Sequence, residues 1–494
     1  MTLSPKQGVT LSINEDVTLV IIPFKAKGFA FLLDFAFQEI GLATLVDASR
    51  LQSPRPITRQ RRIFQKSVAA KKNFLEVRLG SLRSLLLALI SLPIDYHKFC
   101  AGMQIHEKKS DTGLTDILLC RLAAFMGDRD FNLADTPFFE FSRHYLVSKR
   151  ASIDFHHFLS KVGSRFSRIV VFNGREPLEA TFIKIAKEYG LKVLIVEKGS
   201  NNSKYQVFEH SPHYHPNWWQ IIEDFSDSAL NITDSDSTTS RIDYTSSKLK
   251  GIDPYFGDLW NKETPRDFPV DEFVDGTTVL YFTSSSTEFS PFDEYNYNVG
   301  YTNQYEAVKD LAIEVLKLGL KLAIRRHPNS VGLDGVDREN QKWISTISGF
   351  DTNKVKYFEP AQKFNNLSSI ISSRAVFVWK SSIGFESLAL GKPTFALATA
   401  KWSWDAALRC WNREEIQVAL KSELNLSLAA RVVDQYANFM ANSGTPCTLV
   451  YSAHKWGFVN GDKQVIHNGI FEKQVQYLRS LAPSLFGLRR RLSL

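Results

Sequence analysis

The feature that most constrains the fold is a series of short apolar runs, each followed by a turn and, in most cases, by a helical pattern. Strands buried on both faces of a parallel sheet are near-continuous apolar runs, and helical crossovers connect them. The pattern therefore predicts an α/β protein built of βαβ units. The predicted strands lie at 17–23, 43–46, 168–172, 192–196, 279–282, 321–325, 355–358 and 375–379.

The predicted strands form two groups, and a chain of 494 residues is long enough for two or three domains. We predict two Rossmann-like, doubly wound domains that face a cleft, at 1–275 and 276–464. The first domain contains a basic insertion near 55–165, and residues 465–494 are predicted to form a C-terminal helix and a basic tail. A polar stretch at 225–247 is typical of a linker or a long loop.

The chain is basic, with a net charge of +8 and a pI near 9.0. This balance indicates an anionic partner, and nucleic acid, an anionic membrane surface and a phosphorylated substrate are the classes that fit. The sequence contains no aromatic-and-basic RNA motif, no Cys/His finger and no basic heptad region. No nucleic acid partner is therefore expected.

The cysteines and the apolar runs indicate a compartment. Cys100, Cys120, Cys410 and Cys447 are far apart in the chain, which favours reduced thiols over a disulfide framework. The longest apolar run, 85–93, is well short of the roughly 20 residues that span a bilayer, and no signal-peptide pattern is visible. We expect a cytoplasmic protein whose membrane contact is peripheral, on the inner face of the cell membrane.

A cluster of basic residues precedes that apolar run. Two interpretations of it stay open: a solvated helical face followed by a core helix, or a basic amphipathic surface that rests on anionic lipid. The cluster consists of Arg55, Arg59, Arg61, Arg62, Lys66, Lys71, Lys72, Arg78 and Arg83.

The stretch VFVWKSSIGFESLALGKP at 376–393 is the strongest candidate for a ligand site. It predicts a strand, a turn that contains Ser381, Ser382 and Gly384, and a helix that carries Glu386. A strand that turns directly into a helix presents backbone N–H groups and the positive end of the helix dipole, which suit a phosphate. The two serines could equally cap the helix, with the same geometry. Glu386 lies one position too late for a capping box with Ser382, so it is a candidate to accept ribose or sugar hydroxyls.

A second predicted strand in the same half ends in cationic residues. The run at 321–325 finishes on Arg325 and is followed by Arg326, His327 and Pro328. Arg325 and His327 are candidates to contact a donor phosphate, where the imidazole would stabilise charge on the leaving nucleotide. A histidine in an ordinary turn is the alternative.

The strand at 279–282 is followed by hydroxyl-rich text that includes Ser284 and Ser285. Both serines are candidates for the same ligand site. Because Glu288 stands three residues after Ser285, a helix capping box is an equally good explanation.

The first half also places polar residues where predicted strands end. Asn173, Gly174 and Arg175 follow one strand, and Glu197 ends its neighbour. Transfer of a group to a hydroxyl needs a carboxylate or a histidine as base, and Glu197 is the first candidate, with Glu176 second. Either carboxylate could instead pair with Arg175.

Two further patterns resemble metal sites without the supporting ligands. His210, His213 and His215 have no cysteine or paired carboxylate at ligand spacing. Asp234 and Asp236 form a D-x-D pattern inside a Ser/Thr/Asp-rich stretch that is typical of a solvated loop. No metal or cofactor is expected.

With these motifs in hand, the chain resembles the capsule polysaccharide biosynthesis proteins of bacteria and is more distantly similar to the sialyl- and Kdo transferases that use CMP-sugars. The resemblance implies a GT-B-like α/β fold and a metal-independent reaction, with the donor held mainly by the C-terminal domain. It also implies that the His-Pro histidine and the paired hydroxyls contact the donor phosphate. The matching residues are Asn173, Gly174, Arg175, Glu197, Gly199, His327, Pro328, Ser381, Ser382, Gly384, Glu386 and 391–393.

The resemblance implies a glycosyltransferase that transfers a sugar from a nucleotide-sugar donor to a glycan or glycolipid acceptor. CMP-sugars are among the candidate donors. The acceptor would bind the N-terminal half, which includes Asn173, Gly174 and Arg175. Two alternatives stay open: a CDP-glycerol-type polyol-phosphate transferase, and a non-catalytic partner in capsule assembly or export.

Overall fold

The structure is a computed structural model that describes the greater part of the chain. The described residues are 18–22, 35, 43–47, 75–79, 81–103, 114–126, 131–199, 204–209, 212, 216–229, 243–249, 270–284, 300–327, 336–362, 364–447, 450–452, 457–460 and 463–467.

Strands and helices alternate through most of the chain. The strands are β1 (Thr18–Ile22), β2 (Ala43–Asp47), β3 (Leu75–Arg78), β4 (Arg168–Phe172), β5 (Lys192–Lys198), β6 (Lys204–Phe208), β7 (Thr278–Phe282), β8 (Lys321–Arg325), β9 (Val355–Phe358), β10 (Ala375–Val378), β11 (Thr394–Ala396), β12 (Thr445–Pro446), β13 (Val450–Ser452), β14 (Gly457–Asn460) and β15 (Lys463–His467). The helices are α1 (Leu82–Cys100), α2 (Leu114–Met126), α3 (Phe138–Val162), α4 (Pro177–Glu188), α5 (Pro216–Ala229), α6 (Gln304–Lys317), α7 (Val336–Ile347), α8 (Asn366–Ser372), α9 (Ile383–Ala389), α10 (Arg413–Lys421) and α11 (Leu426–Asn442).

The first sheet has the order β12-β6-β5-β4-β1-β2-β3. Its five strands from β5 to β3 are parallel, and β6 and β12 add antiparallel pairs at one edge. The register pairs Phe172 with Val196, so the residues that follow β4 lie beside the end of β5. The core strands are buried on both faces, as their apolar runs predict.

The second sheet has the order β11-β10-β7-β8-β9, and every pair in it is parallel. The strand that comes first in the chain, β7, lies in the middle, between β10 and β8. The ends of these three strands therefore lie at one edge, where ligands of open α/β sheets bind. The expected α/β, GT-B-like class with two Rossmann-like sheets is confirmed.

Most predicted elements of the second half have the expected bounds, including the strands at 321–325 and 355–358. Helix α6 was expected at 304–317 and is found there; the side chain of Asn303 caps it by accepting from two backbone N–H groups at 3.0 Å. Glu197 was expected where its strand ends, and it is the second-last residue of β5, which continues to Lys198.

The expectation of a loop or linker over 225–247 is wrong at both ends. Helix α5 extends to Ala229, and residues 243–249 are also helical. Helix α5 persists because Trp218 and Ile222 are buried and Phe225 packs against the same core, at the spacing of one helix face.

The described residues of the predicted insertion near 55–165 include the three helices α1, α2 and α3. Helix α3 packs against α1, α2 and α4, and a separate apolar cluster that includes Phe99, Leu118 and Phe141 joins them. The interpretation of 85–92 as a core helix is only half right. Ala88 and Leu92 are buried, whereas Leu86 and Ile90 are exposed.

The chain returns to the first sheet after the second one is complete. Helix α11 packs against α5 and α9, and β12 then pairs with β6, within the range 276–464 that we assigned to one domain. A small antiparallel sheet, β13-β14-β15, follows. The helix expected from 465 is wrong where the structure describes it, because residues 463–467 form β15; the rest of that segment lies outside the described residues. Within the described ranges, no helix is long and apolar enough to cross a membrane.

Candidate functional site

A sharp turn between β4 and α4 forms the first part of the site. Asn173 (φ 62°) and Gly174 (φ 75°) both have left-handed backbone conformations, so the chain reverses direction as soon as β4 ends. Asparagine tolerates this conformation better than most residues. At Gly174 a Cβ atom would lie 2.9 Å from the Cδ1 of Ile183, and the positive φ would strain any residue other than glycine. Pro177 then starts the helix.

The turn directs Asn173 onto Glu197. The backbone N–H of Asn173 donates to the carbonyl of Val196 (2.9 Å), and its side-chain Nδ2 donates to Oε2 of Glu197 (2.5 Å). The other carboxylate oxygen, Oε1, accepts from the backbone N–H of Lys198 (2.9 Å). Two fixed donors therefore hold the Glu197 carboxyl in one orientation.

The surroundings of Glu197 change its acidity. Burial of the carboxyl raises the pKa of Glu197 above its ordinary value, because the charged form loses its hydration. The Lys198 N–H, the positive charges of Arg175 and Lys401, and the Asn173 amide all oppose that rise. The site thus combines a basic carboxylate with nearby cations that favour its ionised form.

One of those cations, Lys401, comes from the other half of the chain. Its Nζ lies 3.6 Å from the centre of the Trp218 ring on α5, a cation–π contact. Next to it, Nε1 of Trp219 donates to the carbonyl of Ala400 (2.7 Å). The segment after β11 is therefore fixed against α5, and both halves contribute to the surroundings of Glu197.

The second carboxylate candidate, Glu176, lies in a different environment. It forms an ion pair with Arg121 of α2. The charge of Arg121 also affects His144 of α3. Burial lowers the pKa of His144 to about 4, and the positive charges of Arg121 and Arg143 contribute to the decrease. The pairing of Glu176 with Arg121 leaves Glu197 as the carboxylate held at the strand ends.

A set of hydrogen bonds connects the three strand ends of the second half. The backbone N–H of His327 donates to Oγ1 of Thr283 (3.1 Å), and the backbone N–H of Lys380 donates to Oγ of Ser284 (3.2 Å). His327 follows β8, Ser284 follows β7, and Lys380 follows β10. Because neighbouring strands are about 4.8 Å apart, the ends of β8 and β10 lie roughly 10 Å from each other across β7.

Two side chains predicted to contact a phosphate here form hydrogen bonds within the protein instead. Arg325 is only 2% exposed, and its guanidinium donates to the carbonyls of Glu359 and Pro360 and lies over the Phe364 ring. Burial lowers the pKa of Arg325 to about 10. Ser284 is fully buried and bonded to Lys380 and Gln304. Both residues hold the strand ends in place, whereas His327 is half-buried at the edge.

The turn between β10 and α9 has a different explanation from the one expected. Position 384 requires a glycine because the Trp402 indole fills the space that a side chain would take. A Cβ atom there would lie 2.0 Å from Cζ2 of Trp402. Nε1 of Trp402 donates to the carbonyl of Ser381 (3.0 Å), and Oγ of Ser381 accepts from the N–H of Ile383 (3.4 Å). Ser382 stands at the N-cap position without a side-chain capping bond, and it is exposed.

The structure describes only some of the remaining predicted site residues. Glu386 is half-buried in the first turn of α9. Ser285 and Pro328 lie outside the described residues, as do the His210–His215 and Asp234–Asp236 patterns. In the described ranges, no group of three or more His, Cys, Asp or Glu residues could hold a metal ion.

Sequence reasoning missed Lys401 and the two tryptophans Trp218 and Trp402. The available signal was the text KWSW at 401–404, which follows an apolar strand in the same way as the other site residues. Its contacts with Trp218 and Gly384 depend on pairings between distant segments, which no local pattern reveals.

No family model and no curated protein matches the chain. Among solved structures, it is similar to the KpsC β-Kdo 2,4 transferase of Thermosulfurimonas dismutans, with 14% identity, a TM-score of 0.35, and 61% of this chain and 86% of that chain covered. It is similar to the KpsC β-Kdo 2,7 transferase of the same organism, with 13% identity, a TM-score of 0.36, and 67% of this chain and 89% of that chain covered. It is also similar to the UDP-GlcNAc 2-epimerase of Neisseria meningitidis bound to UDP-GlcNAc, with 12% identity, a TM-score of 0.29, and 88% of this chain and 96% of that chain covered.

The chemistry of the site follows from the residues of this chain. At the edge of the first sheet lies the oriented carboxyl of Glu197, whose pKa is raised. At the edge of the second sheet lie the half-buried His327 and the exposed Ser382, whose side chain makes no capping hydrogen bond. A carboxyl of the first kind can accept a proton from a bound hydroxyl, and groups of the second kind can donate hydrogen bonds to an anion.

Proposed function

We propose that the chain is a glycosyltransferase that transfers a sugar from a nucleotide-sugar donor to a glycan or glycolipid acceptor in the synthesis of a surface polysaccharide. The donor binds the edge of the second sheet, and the acceptor binds beside Asn173, Gly174 and Arg175. No metal ion or cofactor takes part in the proposed reaction.

The observation that carries the proposal is the environment of Glu197. Its side chain is half-buried, and its carboxyl is oriented by Asn173 and by the Lys198 N–H and lies within the influence of the charge of Lys401 from the other half. A carboxylate that has to receive a proton needs a raised pKa and a fixed orientation, and Glu197 has both.

On the donor side, we assign different roles to the predicted residues. His327, Ser382 and Glu386 are the side chains that would contact the nucleotide sugar. Arg325, Ser284, Ser381 and Gly384 act indirectly, because their contacts hold the strand ends and the β10–α9 turn in place. Ser285 and Pro328 keep their predicted place in the donor site.

The reaction follows from these roles. Glu197 accepts the proton of the acceptor hydroxyl, whose oxygen forms the new bond to the anomeric carbon of the sugar. The bond between that carbon and the donor phosphate breaks, and the phosphate oxygen keeps the electron pair. His327 and Ser382 donate hydrogen bonds to the departing phosphate, which carries the developing charge.

The proposal is tested by incubating the purified protein and an acceptor glycan with CMP-, UDP- and GDP-sugars, and separately with CDP-glycerol, and measuring nucleotide release. One nucleotide sugar should be turned over. Glu197→Gln should reduce the rate by about 10²–10⁴-fold, since general-base catalysis contributes that much, while nucleotide binding by thermal shift is retained. His327→Ala should weaken both binding and turnover. Glu209→Gln and His157→Ala, at exposed positions, serve as matched controls.

Two outcomes would contradict the proposed activity, and a third would contradict the role of Glu197. Nucleotide binding without release from any donor would indicate a non-catalytic assembly partner. Transfer of glycerol phosphate from CDP-glycerol, with no transfer from nucleotide sugars, would indicate a polyol-phosphate transferase. An unchanged rate in Glu197→Gln, with sugar transfer intact, would remove Glu197 from the mechanism.

A further inference from the structure

Helix α1 exposes a continuous apolar face to solvent. The exposed fractions are 71% for Leu82, 52% for Leu86, 45% for Leu89, 72% for Ile90 and 60% for Ile94. These residues recur every three or four positions, so they form one stripe about 18 Å long, given a rise of about 1.5 Å per residue. A soluble protein rarely exposes so many large aliphatic side chains in one place, and such a patch marks an interaction surface.

The opposite face of α1 is anchored, so the helix cannot rotate to bury the stripe. Asp95 accepts a hydrogen bond from the hydroxyl of Tyr145 and lies 3.7 Å from Nζ of Lys149, both on α3. Near the start of the helix, Oγ of Ser84 donates to Oδ2 of Asp154 (2.9 Å). Phe99 is fully buried near its end.

The start of α3 extends the apolar surface. Phe138 and Phe139 are 49% and 74% exposed, and the Phe138 ring contacts the Tyr96 ring on α1 with their centres 5.0 Å apart. The patch therefore spans two helices and consists of leucine, isoleucine and phenylalanine.

The positive charge of the chain is concentrated in the segment that leads into this helix. Between Arg55 and Arg83 there are nine basic residues and one acidic residue, Glu76. The net charge of this segment equals the +8 of the entire chain, so basic and acidic residues are balanced in the remainder. Arg83, at the start of the stripe, is itself exposed.

We propose that the exposed face of α1, with Phe138 and Phe139, binds the surface of an anionic phospholipid membrane, with α1 lying in the plane of the interface. The aliphatic side chains enter the boundary of the acyl chains, and the basic segment is attracted to the lipid phosphates. This inference does not depend on the chemistry proposed above.

The composition and the charge of the patch favour a membrane over a protein. Protein interfaces are enriched in Tyr, Trp, Phe, Arg and Met and have a polar rim, whereas the α1 part of the patch consists of Leu and Ile and only its margin on α3 is aromatic. A second copy docked through α1 would bring two segments of charge +8 together. The C-terminal segment 468–494 is also basic, with five basic residues and one acidic residue, so it is repelled by the same charge.

The proposal is tested by sedimentation of the full chain with vesicles of phosphatidylglycerol and phosphatidylcholine, and with vesicles of phosphatidylcholine alone. The protein should bind the anionic vesicles, and binding should weaken as salt rises from about 0.1 to 0.5 M, since salt screens the attraction. The double variant Leu86→Ser, Ile90→Ser should bind about tenfold or more weakly, because two apolar side chains no longer enter the lipid.

The matched control is Ile344→Ser, Val418→Ser, which removes two exposed aliphatic side chains elsewhere (49% and 64% exposed). It should bind as the unchanged protein does, and so should Glu197→Gln. Equal binding to neutral vesicles, or unchanged binding by the Leu86/Ile90 variant, would overturn the proposal. So would a dimer that this variant abolishes in the absence of vesicle binding, or vesicle binding that arises only when residues 468–494 are removed.

Discussion

At the scale of single residues, the candidate site depends on how one carboxyl is held. Asn173 adopts a left-handed conformation, and in that conformation its amide reaches Oε2 of Glu197. Such a conformation costs about 1 kcal/mol or more for a residue other than glycine. Lys401 adds a positive charge from the other half of the chain. The proton affinity of Glu197 is therefore set by groups that are far apart in the sequence.

The pH dependence of the rate should report this arrangement. The positive charge of Lys401 lowers the pKa of Glu197, so Lys401→Met should raise it. Glu197 accepts a proton only when ionised, and the acid limb of kcat/KM against pH should therefore move to higher pH in Lys401→Met. Lys401→Arg, which keeps the charge, should restore the original profile. Identical acid limbs in all three proteins would show that Glu197 is not the titrating base.

At the scale of elements, the turn between β10 and α9 is shaped by a residue beyond it in the chain. The Trp402 indole fills the space beside Gly384 and donates to the Ser381 carbonyl. This contact fixes the end of β10 and therefore the position of Ser382. The turn is thus built by packing as well as by its own sequence.

Replacing Gly384 should test that packing. In Gly384→Ala the new Cβ would lie 2.0 Å from the Trp402 ring, so the turn or the indole must move. We expect a loss of about 1–3 kcal/mol in the free energy of unfolding, measured by urea denaturation, because overpacking forces backbone and side chains to shift. Gly349→Ala is the control, since nothing lies within 4 Å of its Cβ position. Equal stability of the two variants would contradict the packing role of Trp402.

At the scale of the whole molecule, one apolar core joins the two halves. Phe439 of α11 contacts the rings of Trp218 and Phe225 on α5, with centres 5.7 and 5.5 Å apart. Helix α11 also packs against α9, and β12 continues from it into the first sheet. The return of the chain therefore couples the part that contains Glu197 to the part that contains His327.

Phe439→Ala should destabilise both halves together. Removing a fully buried ring leaves a cavity and is expected to cost about 3–5 kcal/mol. Urea unfolding followed by circular dichroism and by limited proteolysis should show one shifted transition for both halves. Val418→Ala, at a position 64% exposed, should change stability by less than about 0.5 kcal/mol. Separate transitions for the two halves would contradict the coupling.

Much of the fold could be predicted locally. The strands at 321–325 and 355–358 and the helix at 304–317 follow from apolar runs, a polar N-cap and helical spacing, which are properties of neighbouring residues. Prediction failed over 225–229, where polar text belongs to a helix whose apolar face packs on the core. It also failed at 463–467, which form a strand because β14 pairs beside them, with β13 on the other side of β14.

By itself, the sequence determined the α/β class, the parallel strands and the positions at which polar residues follow them. Burial on both faces of a sheet leaves continuous apolar runs, and those runs end where the polar residues begin. Only the tertiary structure decided which of these residues are available to a ligand. Arg325 is bonded to the carbonyls that follow β9, Gly384 makes room for Trp402, and the charge of Lys401 lowers the pKa of Glu197. Each of these interactions joins segments that are distant in the chain.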